Sequence, residues 1–386
     1  MTNTTNSTLC LLCNVKLVKN GRNTAGTQRW KCPSCGASSV RKRSDRSRLF
    51  ALHQFIDWLL GKTSQTDHDG THSGRSFRRR ITWCWELRPR IPVTGVVHEV
   101  VEIDGFNLRT GWCILTARSD GNVVSAQWCA RESQAAWGEL FKRLPEPTVV
   151  VCDGGPGMHA ALNEHWPNAR VQRCLVHLQR NIRKYVTTRS KTPAGQALWG
   201  LALKLTRVKT ADDAAAWSKL LIEWESAFLY LTKERSYRKT APEVPSWVRE
   251  TQQWWYTHQR LRSGYQVLRR AIDRGHLFTF LDKELQHLSV PSTTNGIEGG
   301  TNSPMRLQLL HHRGMSEEHQ RRLIEWWLYM HSELPDPARV LTEHTSRPAK
   351  QIRPALTEPD PGPTLYDTGL DTREGLWLRQ GWAGRG

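Results

Sequence analysis

Residues 149–162, VVVCDGGPGMHAAL, contain the stretch that decides the fold. Four consecutive apolar residues from Val149 to Cys152 predict a short buried strand, and the segment from about Pro156 to Trp166 predicts a helix. Asp153 and two glycines stand between them. A buried strand that passes through a tight turn into a helix is typical of an α/β core.

Three strand-like runs precede this unit. They are VVHEVVEID (96–104), WCILTAR (112–118) and VVSAQWCA (123–130), rich in β-branched and aromatic residues. Asp120-Gly121-Asn122 predicts a hairpin turn between the last two, and SQAAWGELFKRL (133–144) predicts a helix. The order predicts three antiparallel strands followed by alternating helix and strand.

The segment 175–290 has no clear strand pattern and predicts an all-helical insertion. Its helical stretches are AGQALWGLALKLTRV (194–208), ADDAAAWSKLLIEWESAFLYL (211–231) and SWVRETQQWWYTHQRL (246–261). A last helix is expected from Met315 to Ser332. Residues 335–386 are rich in proline and poor in apolar residues, and this composition predicts a disordered tail.

Four cysteines near the start of the chain have the spacing of a zinc site, Cys10-x2-Cys13-x18-Cys32-x2-Cys35. Each Cys-x-x-Cys pair can present two thiolates to one tetrahedral ion, and four cysteines leave no position for water. We therefore predict a zinc ribbon over residues 1–40 with one structural Zn²⁺. The alternative is that the spacing is coincidental and the four cysteines are free thiols.

Positive charge is concentrated in the first quarter of the chain. The sequence has 55 Lys and Arg against 36 Asp and Glu, a formal net charge of +19. Residues 1–90 contain 17 of the Lys and Arg but only 5 of the Asp and Glu. Such an excess indicates a polyanionic partner, nucleic acid above all. No run is long and apolar enough to span a membrane, and no secretion signal is recognisable, so a cytoplasmic protein without a membrane partner is expected.

Residues 41–92 predict a basic, helix-turn-helix-like DNA-binding segment and linker. Leu49 to Leu60 have helical apolar spacing, and SFRRRITWCWEL (76–87) predicts a second helix capped by Ser76. A face of solvated charge is the alternative to DNA contact. The candidate DNA-binding residues are Arg41, Lys42, Arg43, Arg46, Arg48, Arg78, Arg79 and Arg80.

Two acidic residues each follow an apolar run and precede glycine: Asp104 after Val100-Val101-Glu102-Ile103, and Asp153 after Val149 to Cys152. Each alone could be a turn-forming Asp-Gly. On two strands of one small sheet, they indicate a site that faces divalent cations, because clustered carboxylates ionise together only when cations neutralise them. Glu298, three residues after Asn295, could instead belong to a capping box.

The motifs together resemble the Mutator-like DDE transposases of bacterial insertion sequences. The resemblance rests on EIDGF (102–106), VVCDGGPGMHAAL (150–162), CLVH (174–177) and TTNGIEGGTNSPMR (293–306), and spans about residues 96–332. It implies an α/β ribonuclease-H-like core over 93–174 and 291–334, interrupted by the all-α insertion 175–290. It also implies a catalytic triad of Asp104, Asp153 and Glu298 that binds two Mg²⁺ or Mn²⁺ ions.

Cys174 and His177 match the Cys-x-x-His element of that family, for which we expect a packing and hydrogen-bonding role beside the active site; a buried Cys and a satisfied His of the core are the alternative. The implied function is a nucleoid-associated transposase that binds terminal inverted repeats and target DNA as a dimer or larger assembly and transfers strands. A DNA-binding regulator without catalysis and a structure-selective, metal-dependent nuclease are the other two hypotheses.

Overall fold

The computed structural model describes residues 15–24, 26–36, 38–39, 44–68 and 74–345. The strands are β1 (Val18–Arg22), β2 (Gln28–Lys31), β3 (Ser38–Ser39), β4 (Val100–Asn107), β5 (Cys113–Ser119), β6 (Asn122–Cys129), β7 (Val149–Cys152), β8 (Arg170–Arg173), β9 (Arg235–Tyr237) and β10 (Trp254–Tyr256). The helices are α1 (Ser44–Leu60), α2 (Arg75–Ile81), α3 (Gln134–Phe141), α4 (Pro156–His165), α5 (Leu175–Val186), α6 (Pro193–Leu205), α7 (Ala211–Phe228), α8 (Gln259–Asp273), α9 (Asn295–Ile297), α10 (Ser303–His311), α11 (Glu317–Met330) and α12 (Pro337–Thr345). Within these ranges, no helix combines the length and the apolar character needed to cross a bilayer.

Contacts divide the chain into two compact units. The first comprises the described residues up to Arg90, Gln308–Met330 and those from Leu334 onward. The second comprises Ile91–Leu307 and His331–Glu333. The division predicted from the sequence had assigned 291–334 as one block to the catalytic domain, whereas contacts group most of the residues after Leu307 with the N-terminal region.

The second unit is built on a five-stranded mixed sheet in the order β6-β5-β4-β7-β8. Strands β6, β5 and β4 are antiparallel, and β7 and β8 add in parallel. Val150 and Cys152 pack under α3 and α4, whereas Val149 and Val151 pack on the opposite face. Coverage of both faces explains why β7 is apolar at every position, and it confirms the α/β core expected from the strand and helix order.

The hairpin between β5 and β6 turns at the predicted place. Asp120 and Gly121 both have positive φ, 45° and 86°. Two successive residues in this region make the turn whose twist matches that of paired antiparallel strands. The Asp-Gly-Asn sequence therefore sets the register of the two strands.

The insertion is mainly helical, with a core of its own formed by α5 to α8. Its buried tryptophans satisfy their indole N–H groups on backbone carbonyls: Trp217 donates to Leu201 and Trp224 donates to Ala194, each at 2.9 Å. A buried indole without an acceptor would cost stability. Trp217 and Trp224 thus lie in the core of the insertion.

The expectation of an all-helical insertion is corrected at residues 235–256. Strands β9 and β10 form a two-stranded antiparallel sheet, so that WWY of the predicted helix 246–261 is a strand. Trp254 is exposed and Trp255 is buried, an alternation that suits a strand with one covered face. Pairing of these aromatic residues with β9 overrides the weak helical pattern of TQQWWYT.

The first unit is held together by aromatic residues of α1, α2 and the helices that follow Leu307. Phe55 contacts Trp85 edge to face at a centroid distance of 4.8 Å, and Trp326 at 6.4 Å. The side chain of Gln308 donates to the carbonyl oxygens of Leu59 and Gly61. The hydrophobic spacing of Leu49 to Leu60 is explained by this core.

Two further expectations for the first unit are corrected. The second basic helix, α2, begins at Arg75 after Gly74, whose φ is +60° and which provides no side-chain cap, so Ser76 does not cap it. Pro337–Thr345, within the segment expected to be disordered, form α12. The hydroxyl of Tyr329 donates to the carbonyl of Asp336 at 2.9 Å just before α12 begins, which fixes the start of that helix.

Candidate active site

One edge of the central sheet collects the ends of several strands. Asn107 at the end of β4 pairs with Cys113, which pairs with Cys129 at the end of β6. Strand β7 runs parallel to β4, so the end of β7, at Cys152, lies towards the same edge of the sheet. Residues that follow β6 and β7 and the last residues of β4 are thereby brought to one place.

Asp104 lies within β4 and not at its end, contrary to the sequence-based expectation. It pairs with Thr116 of β5, but β7 accompanies β4 only as far as Glu102. Backbone N–H of Gly105 donates to Oδ1 at 2.9 Å, and Nδ2 of Asn302 donates to Oδ2 at 2.8 Å. The carboxylate is therefore held where the sheet narrows from five strands to three.

Asp153 follows β7 directly, as predicted. The N–H of Gly155 donates to its Oδ1 at 3.1 Å. Gly154 has φ +80°, and the Arg173 guanidinium occupies the space that a Cβ at this position would need. The glycine that follows Asp153 is thus required both by backbone conformation and by close packing.

Glu298 opens a five-residue π-helical turn, Glu298–Asn302, between α9 and α10. Its carboxylate accepts from Thr294 Oγ1 at 3.2 Å, and lies 3.5 Å from His177 Nε2 and 3.2 Å from Arg180 Nη1. The N-cap of α9 is Thr294, and the N–H of Asn295 donates to Thr293. The capping-box alternative for Asn295 and Glu298 is therefore wrong.

Glu102 fixes the segment that carries Glu298 to the sheet. Its Oε2 accepts from the N–H of Ile297 at 3.1 Å, and its Oε1 lies 3.4 Å from Arg118. A Cβ on Gly296 would overlap this carboxylate. Burial raises the pKa of Glu102, and the hydrogen bonds and Arg118 oppose that rise. The Asn-Gly-Ile-Glu motif thus needs glycine so that the chain can approach Glu102.

Charge effects link the three predicted acidic residues to one side chain, His177. Loss of hydration and then the nearby charge of Asp153 raise the pKa of Asp104 to about 7, while His177 lowers it. A hydrogen bond with Cys174 is the main cause of the raised pKa of His177, and the charges of Asp153 and Glu298 add to it. Glu298 therefore contacts His177 directly, whereas Asp104 and Asp153 act on it through their charge. Among the described residues, the three side chains close enough to share one metal ion are Cys174, His177 and Glu298, and not the three carboxylates.

A further carboxylate, Glu132, belongs to this group and was missed from the sequence. It follows β6, and although the residue as a whole is exposed, its carboxylate lies over Gly105, where a Cβ would overlap it. Loss of hydration first, and Asp153 second, raise its pKa to about 7. The signal that could have revealed it is topological: β6 runs parallel to β4 in a three-stranded meander, so the residue after β6 emerges beside Asp104.

Cys174 and His177 flank the start of α5, and with Glu298 they form a group of three possible metal-binding side chains. Their donor atoms lie within 4.8 Å of one another. Burial opposes ionisation of Cys174, but hydrogen bonds from His177 and Thr294 lower its pKa overall. The N–H of Thr294 donates to Cys174 Sγ at 3.3 Å, and the role of Cys174 and His177 beside the active site stays a prediction.

The predicted DNA-binding and zinc residues are only partly within the described ranges. Arg78, Arg79 and Arg80 are exposed on α2, and Arg48 of α1 lies over the ring of Trp83 at 4.8 Å. Arg46 lies in α1 as well. Cys32 and Cys35 follow β2 in a turn, whereas Cys10, Cys13, Arg41, Lys42 and Arg43 are outside the described residues. DNA contact and zinc binding stay predictions.

Comparison with known proteins identifies relatives for the middle of the chain. Residues 115–255 match the family model described as "Transposase, Mutator family". This range includes Asp153, Cys174 and His177, whereas Asp104 and Glu298 lie outside it.

Three similar proteins come from bacterial insertion sequences. A transposase for insertion sequence element ISRM5 of Rhizobium meliloti (strain 1021) is 29% identical over 134 residues, 33% of this chain and 30% of that protein. A probable transposase of Corynebacterium diphtheriae is 32% identical over 98 residues, 25% and 26% of the two chains. A transposase for element IST2 of Acidithiobacillus ferrooxidans is 31% identical over 107 residues, 25% and 36%. The chain thus covers about a third of the length of these relatives.

Proposed function

We propose, from the membership of residues 115–255 in the Mutator family of transposases, that this chain is a DNA transposase that binds the terminal inverted repeats of an insertion sequence and catalyses metal-dependent strand cleavage and strand transfer. The observation that supports the proposal is that the charges of Asp104 and Asp153 both bear on His177, which Glu298 contacts at 3.5 Å. These three carboxylates, on separate elements, would form an acidic site at the sheet edge.

The residues at this site fit a divalent cation of the Mg²⁺ or Mn²⁺ type. Carboxylate oxygens are the ligands that such ions prefer. Loss of hydration first, and the charge of Asp153 second, raise the pKa values of Asp104 and Glu132, so ionisation of these carboxyl groups is disfavoured unless a cation is present. Two Mg²⁺ or Mn²⁺ ions, held by Asp104, Asp153 and Glu298, would neutralise this charge and activate both the attacking oxygen and the phosphodiester.

The chain's own residues keep the carboxylates oriented. Asn302 and the N–H of Gly105 fix both oxygens of Asp104, and the N–H of Gly155 fixes Asp153. Thr294 fixes one oxygen of Glu298. Because the groups are held before DNA arrives, little reorganisation opposes the reaction. Cleavage by water and joining by a 3′ hydroxyl are the same displacement at phosphorus with a different attacking oxygen, and one set of residues serves both.

Arg180 would contact the DNA backbone at this site. Its side chain is 55% exposed, and one of its nitrogens lies 3.2 Å from Glu298. An exposed guanidinium beside a catalytic carboxylate can bind a phosphate oxygen with two parallel hydrogen bonds. It would thereby offset the repulsion between the acidic site and its polyanionic substrate.

The remaining predictions form part of the same proposal. The mixed sheet would be a ribonuclease-H-like core, and Cys10, Cys13, Cys32 and Cys35 would bind one structural Zn²⁺ in a zinc ribbon. The exposed arginines of α2, together with the basic run 41–48, would contact DNA in a helix-turn-helix-like manner. We propose a dimer or larger assembly on DNA in the bacterial cytoplasm, associated with the nucleoid.

Cleavage and binding assays with single substitutions test the proposal. We expect Asp153→Asn and Glu298→Gln to bind the element ends with wild-type affinity but to lose metal-dependent cleavage by at least about a thousandfold. Asp212→Asn and Glu164→Gln are matched controls, because both replaced carboxylates are exposed on other helices, and they should cleave normally. Retention of cleavage by Asp153→Asn would refute the assignment.

A second assay separates transposition from simple nuclease action. Pre-cut element ends are supplied with a target plasmid and Mg²⁺, and joined products are counted. A transposase joins the ends, a structure-selective nuclease cuts but does not join, and a regulator without catalysis does neither.

A further inference from the structure

One face of the small sheet in the insertion consists of aromatic and guanidinium side chains. The pairs Tyr237–Trp254 and Arg235–Tyr256 lie opposite one another across β9 and β10, and residues two apart in a strand point to the same side. We call these four residues the aromatic platform. Tyr237 is 51% exposed and Trp254 is 36% exposed, so the rings are accessible to solvent.

Cations lie directly on these rings. The guanidinium of Arg235 is 4.1 Å from the centroid of Trp254 and 5.8 Å from that of Tyr256. The guanidinium of Arg262, on α8, is 3.9 Å from the centroid of Tyr256 and donates to the carbonyl of Thr232 at 2.9 Å. Each contact holds a guanidinium within about 6 Å of a ring centroid, and the rings are thereby held in place before any ligand binds.

The positive charge of the aromatic platform is not neutralised locally. In the part of the chain that the structure describes, no carboxylate forms an ion pair with Arg235 or Arg262. The nearest acidic residue in sequence, Glu234, instead pairs with His258 at 3.3 Å. Lys233 and Lys239 flank β9 and are exposed. An aromatic surface with uncompensated cations suits an anionic ligand that has flat rings.

The buried tryptophan of the small sheet lies on the face opposite to the aromatic platform. Trp255 is 5% exposed and occupies the covered face with Ser236, whose hydroxyl is 2.9 Å from that of Thr257. The sheet therefore buries one tryptophan for stability and leaves its neighbour accessible. Trp255 would be buried equally well if the side chains on the exposed face were polar.

We infer that the aromatic platform binds unpaired bases of DNA by stacking, with Trp254 as the main contact. This inference rests on the proposed function, since it specifies the form in which that DNA meets the insertion. Bases in a duplex are stacked on each other and offer no open ring face, whereas bases in single-stranded, frayed or distorted DNA do. The cations beside the rings would contact the phosphates that join those bases.

The test measures binding without cleavage, using the full chain with its proposed structural Zn²⁺ in buffer without added Mg²⁺ or Mn²⁺. Fluorescence anisotropy gives the Kd for a labelled single-stranded oligothymidylate and for a labelled duplex of equal length. We expect Trp254→Ala to raise the Kd for the single strand by about tenfold and the Kd for the duplex by less than about twofold. Trp254→Phe keeps a ring and should stay near wild type.

Two matched controls isolate the aromatic platform. Trp247→Ala removes another exposed tryptophan, which lies between β9 and β10 in sequence but outside the paired strands, and Lys219→Ala removes an exposed charge on α7. Neither should change the Kd for the single strand by more than about twofold. Arg235→Lys keeps the charge without the planar guanidinium and should give a loss between those of Trp254→Phe and Trp254→Ala.

Several outcomes would overturn the inference. Equal losses for single strand and duplex in Trp254→Ala would mean that the surface is only an electrostatic contact. An unchanged Kd for the single strand, in protein with a wild-type melting temperature, would mean that the bases do not stack there. Either result leaves cleavage by the wild-type protein intact, so the failure of this inference is distinct from failure of the proposed transposase activity, which would appear as absence of cleavage.

Discussion

Substitution of Asp104 by asparagine should stabilise the metal-free protein at neutral and alkaline pH. In the fold the pKa of Asp104 is raised to about 7 from 3.8, first by loss of hydration and then by Asp153. At about 1.4 kcal/mol per unit, this corresponds to an unfavourable contribution on the order of 4 kcal/mol when the group is charged. Because the carboxylate retains some contact with solvent, we expect about 2 kcal/mol in practice.

Asparagine fits this position without loss of hydrogen bonds. Its side-chain oxygen can still accept from the N–H of Gly105. The side-chain oxygen of Asn302 is buried without a hydrogen-bond partner among the described residues, so rotation of that amide lets it accept from the new NH₂ group. The substitution therefore removes charge with little change in packing.

The assay is thermal unfolding at several pH values in buffer without added Mg²⁺ or Mn²⁺, repeated with millimolar MgCl₂. A carboxyl whose folded pKa lies above its unfolded pKa binds a proton more tightly in the fold, so its contribution to stability is lost as the pH rises from about 4 to about 7. The melting temperature of Asp104→Asn should exceed that of the wild type by about 5 °C near pH 8, with little difference near pH 4. Mg²⁺ should raise the melting temperature of the wild type but much less that of the variant.

Asp212→Asn serves as the control, because this residue is exposed on α7, and it should have no comparable effect. If Asp104→Asn were destabilising at every pH, Asp104 would be stabilised by its hydrogen bonds more than it is disfavoured by its charged neighbours. If Mg²⁺ stabilised the wild type and Asp104→Asn equally, Asp104 would not be a ligand of the Mg²⁺ ion.

Further predictions concern residues around the site. Gly154→Ala should destabilise the protein by about 2 kcal/mol, because the φ of Gly154 is +80° and Arg173 occupies the position of the new Cβ. The control Gly200→Ala in α6 should be neutral or stabilising, because a Cβ there has open space. Urea unfolding of both variants compares their stabilities. Burial lowers the pKa of both His159 and His276 to about 4 from 6.5, so their contribution to stability is present above about pH 6.5 and lost as the pH falls towards 4. Replacing both by phenylalanine should flatten the melting temperature between about pH 6.5 and 4; an unchanged acid dependence would show that other groups cause it.

The central fold could be predicted because its signals are local and strong. The apolar run Val149 to Cys152 and the Asp120-Gly121-Asn122 turn each determine one element, and both occur where expected. Strands β9 and β10 could not be predicted in this way. Three-residue strands have no detectable period, and the pairing that stabilises Trp254 to Tyr256 comes from residues 17 or more positions earlier.

Residues of the candidate site could be predicted from the sequence only where an acidic residue follows an apolar run. Asp104 and Asp153 were found through their apolar runs and glycines, although Asp104 lies within β4. Asn302 and Glu132 have no such pattern: the first contacts Asp104 from 198 positions away, and the second depends on the direction of β6. These contacts are set by topology, which short sequence motifs do not contain.

The wide turn that begins at Glu298 has a consequence for chain length. A π-helical turn holds about one residue more than an α-helical turn, and Asn302, at the end of this turn, is the residue that donates to Asp104. Each residue removed from a helix rotates the remainder of that helix by about 100°. A chain lacking one glycine between Glu298 and Asn302 would keep both side chains but turn the amide away from Asp104, so homologues should vary in composition at Gly299, where a Cβ meets nothing within 4 Å, and not in the number of residues.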